Sequence, residues 1–305
     1  MRRRVASAVV VAAVAAVAVA AIVDAVRPER AHPLDAEAAA QLEKLGVNGT
    51  LVYTDPGCRL HALSLPGLTS ARLPAGIGVG CEISVSPEGR HVAGGRARWS
   101  RNGAQYAICR GTRVDVVDAA GGPARGTFTG CTPAFRPDGM LTFARDGAIR
   151  LARFEGILVP RRELVRAARA HPNAPELPVD ELRVLDLVWA SHFEVVALIE
   201  TRFRLGLPEF QTTVAGFRFG RLRWQHPYSV GYDRLVVSAG GDVLLEPAIR
   251  TQSPLLAGLA PSGPVDWSPD GRRLAVATRA SVFVVDPAAE RRVRIPVTAR
   301  DLAWR

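Results

Sequence analysis

The stretch Val265 to Val297, VDWSPDGRRLAVATRASVFVVDPAAERRVRIPV, decides the fold. Val265 and Trp267, then Leu274 and Val276, Val282 and Val284, and finally Val293, Ile295 and Val297 stand at alternating positions, the period of a half-buried strand. Between the first two runs lies Ser268-Pro269-Asp270-Gly271, with proline where its fixed φ suits the second place of a type I turn and glycine at the fourth. The segment reads as four short antiparallel strands.

The same unit recurs upstream. Ser86-Pro87-Glu88-Gly89 follows Ile83 and Val85, and Arg136-Pro137-Asp138-Gly139 follows Phe135 and precedes Leu141 and Phe143. Gly89 and Gly139 are 50 residues apart and Gly139 and Gly271 132 apart, the latter three steps of 44, the period of a four-stranded propeller blade. Weaker copies at Leu187-Val188-Trp189-Ala190 and Tyr228–Asp233 fill the gap. The count predicts an all-β, six-bladed β-propeller over 49–305; the irregular stretch Asp186–Pro247 leaves five or seven blades open.

The S-P-D-G-R turn, the apolar or Trp position before it and the L-A-V-A strand after it resemble the TolB-like and WD40-like six-bladed propellers of the membrane-anchored bacterial type. That resemblance implies fold and not activity, because binding scaffolds and enzymes share this architecture.

The chain opens differently. Arg2, Arg3 and Arg4 precede Val5 to Val23, nineteen residues with one serine and no charge, long enough for about 28 Å of helix at roughly 1.5 Å per residue. The arginines predict an N-in orientation, with everything after Asp24 outside the cytoplasm. Two fates fit: a permanent single-pass anchor, or a signal peptide cleaved after Ala18-Val19-Ala20. The expected organisation is therefore a membrane segment over 1–26, a linker with a short Asp35-capped helix over 27–48, and the propeller over 49–305. Leu51–Thr54 and Leu60–Leu65 match the second and third strands of the unit with no first strand before them, while Leu302-Ala303-Trp304 at the C-terminus matches a first strand. The end of the chain is thus expected to close the first blade. Arg96–Gln105 is read as an elongated hairpin. Pro160–Pro172 predicts a helix within an insertion over about 160–182, either covering the propeller rim or docking a partner.

Of 305 residues 48% are hydrophobic, with 28 Gly and 22 Pro, as suits a large core with many turns. The net charge is +10, nearly all from arginine, since Lys44 is the one lysine. Four cysteines lie in the first half. Cys58 with Cys81, and Cys109 with Cys131, occupy matching places in adjacent units, so two disulfides are expected, consistent with export. Pairing Cys81 with Cys109 would strand the other two, and a zinc site lacks any C-x-x-C.

No catalytic, cofactor-binding or metal-ligating residue is assigned. His32, His61, His91, His171, His192 and His226 are scattered, and H-E-x-x-H, G-x-S-x-G and P-loop patterns are absent. Asp186 and Asp301 each stand three residues before the Trp of an inner strand, with Asp266 close by in its own unit. They are either a strand-start residue carried by the repeat or an acidic ring able to hold a cation. Asn48-Gly49-Thr50 matches a glycosylation acceptor. Phe203, Phe217–Phe219 and Arg221–Trp224 interleave basic and aromatic residues, but export argues against nucleic acid. The resulting expectation is an exported, membrane-tethered, non-enzymatic binding or scaffold module of the cell envelope with a protein or envelope-polymer partner. The alternative is a propeller hydrolase or lyase with its site at the channel.

Overall fold

The computed structural model describes residues 34–73, 80–154, 156–169, 179–203, 211–228, 234–238, 240–246 and 263–305; the run Val5–Val23 lies outside them. Among the described residues no helix is long and apolar enough to cross a membrane. Among the described residues five sheets have four strands and two have two strands. Their innermost strands neighbour one another in a closed circuit around one channel.

In ring order, the first sheet has Asp301–Trp304 innermost, then Gly49–Thr54, Leu60–Leu65 and Thr69–Arg72. The second is Ile83–Val85 with Val92–Gly94, and the third Arg98–Trp99, Gln105–Arg110, Arg113–Asp118 and Gly126–Thr129. The fourth is Cys131–Phe135, Leu141–Arg145, Ala148–Leu151 and Ile157–Val159, and the fifth Val179–Trp189, Glu194–Phe203, Gln211–Arg218 and Arg221–Tyr228. The sixth is Arg234–Val237 with Val243–Glu246, and the seventh Val265–Trp267, Leu274–Ala277, Val282–Asp286 and Arg291–Ile295.

In place of six, the described residues form five four-stranded blades, one of the counts left open, with two two-stranded sheets completing the ring. The three steps from Gly139 to Gly271 are real, running from the fourth sheet to the seventh. The miscount lies between Gly89 and Gly139. Arg96–Gln105 is no elongated hairpin: it holds the inner strand Arg98–Trp99 of a separate sheet and the turn after it. Trp99-Ser100-Arg101-Asn102-Gly103 is a copy of Trp267-Ser268-Pro269-Asp270-Gly271 without the proline. In both, the glycine N–H donates to the serine carbonyl, at 2.9 Å for Gly103 and 2.8 Å for Gly271, and both glycines have positive φ, +66° and +69°. The serine hydroxyls also do the same thing, accepting from Gln105 N at 3.1 Å and Arg273 N at 2.9 Å.

Ring closure by the two ends of the chain is observed. Leu51 pairs with Trp304 and Thr54 with Asp301, and Leu302, Ala303 and Trp304 are buried, so the inner edge of Gly49–Thr54 is paired.

Helix α1, Ala36–Lys44, is capped by Asp35, whose Oδ1 accepts from Ala38 N at 2.9 Å. It buries Ala38 and Leu42 in a cluster with first- and seventh-sheet residues, so this part of the linker belongs to the propeller body. Helix α2, Arg161–Arg169, buries Leu164 and Ala167 against the fourth and fifth sheets, and Glu163 Oε2 accepts from Leu222 N at 3.0 Å. It covers the rim. The next strand begins at Val179, inside the range expected for the insertion.

Candidate functional site: the channel and its latches

The inner strands enclose a cavity of about 360 Å³, lined by residues of all seven sheets, among them Arg98, Trp99, Arg234, Trp267, Asp266 and Arg305. The repeat explains its polarity. Pleating sends alternate inner-strand residues toward the channel or the neighbouring sheet, so acids on the latter face meet the backbone of the next blade.

The three aspartates singled out from the sequence do this in one manner. Asp301 Oδ2 accepts from Ile83 N of the second sheet at 2.7 Å, and its Oδ1 from Leu302 N at 2.9 Å. Asp186 Oδ2 accepts from Leu235 N of the sixth sheet at 2.6 Å, and Oδ1 from Leu187 N at 2.9 Å. Asp266 Oδ2 accepts from Trp304 N of the first sheet at 2.9 Å, and Oδ1 from Trp267 N at 3.0 Å. Each carboxylate thus latches one sheet to the next around the ring.

An arginine stands beside each acid: Arg98 against Asp186, Arg234 Nη1 at 3.4 Å from Asp301, and Arg305 Nη1 at 2.9 Å from Asp266. Sequence reasoning missed these arginines, although Arg98, Arg234 and Arg305 each adjoin an end of an inner strand. Burial raises the Asp301 carboxyl above its ordinary value, opposed by the Arg234 charge and the Ile83 and Leu302 N–H groups. Repeated acids that join sheets, rather than a cation ring, is the reading the geometry supports, because their oxygens already face N–H donors and guanidinium groups; Asp301 and Asp266 stand at or next to the start of their strands, whereas Asp186 is the eighth residue of Val179–Trp189. Among the described residues no cluster of His, Cys, Asp and Glu has the arrangement of a metal site.

Hydroxyls serve sheet-to-sheet joints as well, two of them joints that the aspartates do not span. Ser84 Oγ donates to Ala97 O at 2.7 Å, Thr54 Oγ1 to Cys81 O at 2.7 Å and Thr132 Oγ1 to Val184 O at 2.9 Å. Trp189 Nε1 donates to Thr142 Oγ1 at 3.0 Å and Trp304 Nε1 to Asn48 O at 3.1 Å. The indole N–H groups of Trp99 and Trp267 are buried without a protein partner. Both of these rings pack toward a two-stranded sheet, Trp99 beside His91 and Trp267 in a cluster with Val236. By strand register, Thr142 corresponds there to Ala93 and Leu244, neither of which carries a hydroxyl.

The four described histidines do not converge, and none of them lines the cavity. His61 stacks on Tyr53 with centroids 5.1 Å apart and places Nε2 3.2 Å from Asp55 Oδ2. The Arg59 N–H and guanidinium, with His61, hold the Asp55 carboxyl well below its usual range. His226 lies by Trp224 and His192 by Phe193; His32 and His171 fall outside the described residues. In the basic-aromatic stretch, Phe217 is core and Trp224 Nε1 donates to Glu194 Oε1 at 2.5 Å, whereas Phe219 is exposed. Asn48 is exposed.

Cys58 is bonded to Cys81 and Cys109 to Cys131, with Cα–Cα distances of 4.5 and 5.2 Å. The first bond ties a turn of the first sheet to the approach of the second. The other ties the third sheet to the inner strand of the fourth. Two disulfides and no free cysteine fit an extracytoplasmic or secreted protein.

No protein-family model matches the chain, and no curated protein matches it. Among solved structures it is similar to one described as the crystal structure of the eukaryotic initiation factor, at 13% identity and a TM-score of 0.30, over 84% of this chain and 76% of that one. So low a score carries no argument about function.

Proposed function

We propose that the protein is an exported, membrane-tethered propeller that acts as a binding or scaffold module in the cell envelope, of the TolB-like kind that its turn motif resembles. One observation carries the reading: Asp186, Asp266 and Asp301, the acids of the inner strands, are joined to the backbone of the next sheet. A hydrolase or lyase needs a base or nucleophile free to reach substrate, and these groups close the ring instead. The disulfides support export, and the arginine cluster before Val5–Val23 supports a tether with the propeller outside. The partner is a protein or an envelope polymer that meets a rigid ring surface.

Affinity capture of the full chain from detergent-solubilised membranes tests this, with a reporter that is active only outside the cytoplasm fused after Arg305. The expected result is an active reporter and a single stoichiometric macromolecular partner. An inactive reporter overturns export, and a bound small molecule turned over by the purified protein overturns the scaffold.

A further inference from the structure

Among the described residues five large apolar side chains are exposed: Leu34, Phe154, Ile157, Phe193 and Phe219. Topology puts all five at one end of the ring. Phe193 is in the turn after the inner strand of the fifth sheet, and Phe219 in the turn between its third and fourth strands. Phe154 precedes, and Ile157 begins, the fourth strand of the fourth sheet. Leu34 donates its N–H to Leu68 O, 3.2 Å away, in the last turn of the first sheet. In an antiparallel four-stranded blade the first and third turns share one end. It is the end at which the Ser-Pro-Asp-Gly turn lies and Arg305 meets Gly89.

The fourth- and fifth-sheet members form a braced patch. The rings of Phe193 and Phe219 are 5.7 Å apart, Arg218 lies over both at 5.8 and 5.4 Å, and Arg153 lies over Phe154 at 5.3 Å. Gly220, at φ +74°, lets the Phe219 turn close onto the fourth sheet, since a Cβ there would stand 2.4 Å from Leu158 O. Exposed aromatic rings carrying guanidinium groups suit the boundary between acyl chains and anionic headgroups, where the ring partitions and the cation meets phosphate. The chain also reaches this end from the membrane segment. Leu34 follows Val23 by ten intervening residues, which span at most about 35 Å. The net charge of +10 favours the same surface.

We propose that this end of the propeller rests on the anionic headgroup region of the membrane, held by Phe154, Ile157, Phe193 and Phe219 with Arg153 and Arg218. The inference rests on the tethered reading above. Leu34 and the aromatic patch lie on roughly opposite sides of the ring, so two separated contacts set its tilt. The channel mouth then faces the bilayer, and the opposite end, with both disulfides, faces the partner.

Hydrogen exchange of the full chain in lipid nanodiscs tests it, comparing pure phosphatidylcholine with discs containing about one third phosphatidylglycerol. Peptides covering 152–157, 190–193 and 218–221 should exchange several-fold more slowly in anionic discs, while the opposite-end turns at 55–59 and 110–113 stay unchanged. Phe193→Ser with Phe219→Ser should abolish the difference while protection elsewhere in the sheets stays at the parent level. Arg218→Gln, which keeps both rings, should weaken its dependence on lipid charge. Equal exchange in the two lipids overturns the proposal, as does protection in both lipids with two chains per disc, which would mean that a second copy covers the patch. A chain that separates from discs sinks the tether alone. The released protein is then floated with vesicles of the two compositions: flotation with the anionic ones alone keeps the lipid contact, and no flotation overturns it.

Discussion

Asp301 contributes through two oxygens that hold two backbone N–H groups on different sheets. Replacing it by alanine leaves buried Ile83 N–H without its acceptor and takes a carboxylate away from Arg234, and an orphaned buried donor costs about 1–3 kcal/mol. Asp301→Ala is therefore expected to destabilise by about 2–4 kcal/mol and Asp301→Asn by less, read from urea midpoints of the detergent-solubilised chain. Asp138 differs because it is partly exposed and acts within one turn. The Arg136 guanidinium, with the Met140 N–H, holds its carboxyl down to about 2 from an ordinary 3.8. A depressed folded value means that the contribution is complete above the ordinary value and is lost as pH falls through the folded one. Between about pH 4 and pH 2, Asp138→Asn should lose less stability than the parent, measured as the difference in urea midpoint across that window; parallel curves would refute the role of this turn.

The element whose loss matters most is the strand Asp301–Trp304. Its removal strips the first sheet of its inner edge partner, unburies Leu302 and Trp304, and breaks the joints to Ile83 and Asp266. One aliphatic side chain and an indole are worth roughly 1.5–3 kcal/mol each or somewhat more, against a typical margin of about 5–15 kcal/mol. Deletion of Arg300–Arg305 should therefore lower the thermal midpoint sharply or cause aggregation, whereas a frayed tail would leave it unchanged. The strand Arg98–Trp99 shows the converse. It has two residues, too few for alternation to register, and its turn lacks the proline found at Pro87, Pro137 and Pro269, so it reads as part of an elongated hairpin.

At the scale of the molecule, the ring is stapled in its first half only. The disulfides close loops of 23 and 22 residues, each worth roughly 3 kcal/mol in the chain-entropy account. Cys58→Ser with Cys81→Ser should cost about that much, and the Cys109–Cys131 pair a similar amount. Sites on different joints should add within about 0.5 kcal/mol. Unchanged unfolding midpoints after both replacements would mean that the joints hold without them.

Alternation, turn chemistry and the phase of Leu302–Trp304 were legible in the sequence because each is local: a strand shows its period, a type I turn its proline and glycine, and a repeat its missing member. They determined an all-β propeller closed by its own C-terminus. The number of sheets was not legible, because a two-stranded sheet breaks the period and nothing in a local window shows which strands pair. Asp186, Asp266 and Asp301 were visible as a recurring acid, but whether they hold a cation or a neighbouring backbone depends on which N–H groups the ring brings within 3 Å, and those belong to residues up to 218 positions away. The same holds for Phe193 and Phe219. Their sequence marks them as aromatic, and only the packing of the fourth and fifth sheets left them exposed while burying Phe217 two residues before Phe219, because successive residues on a strand face opposite sides and a turn faces neither.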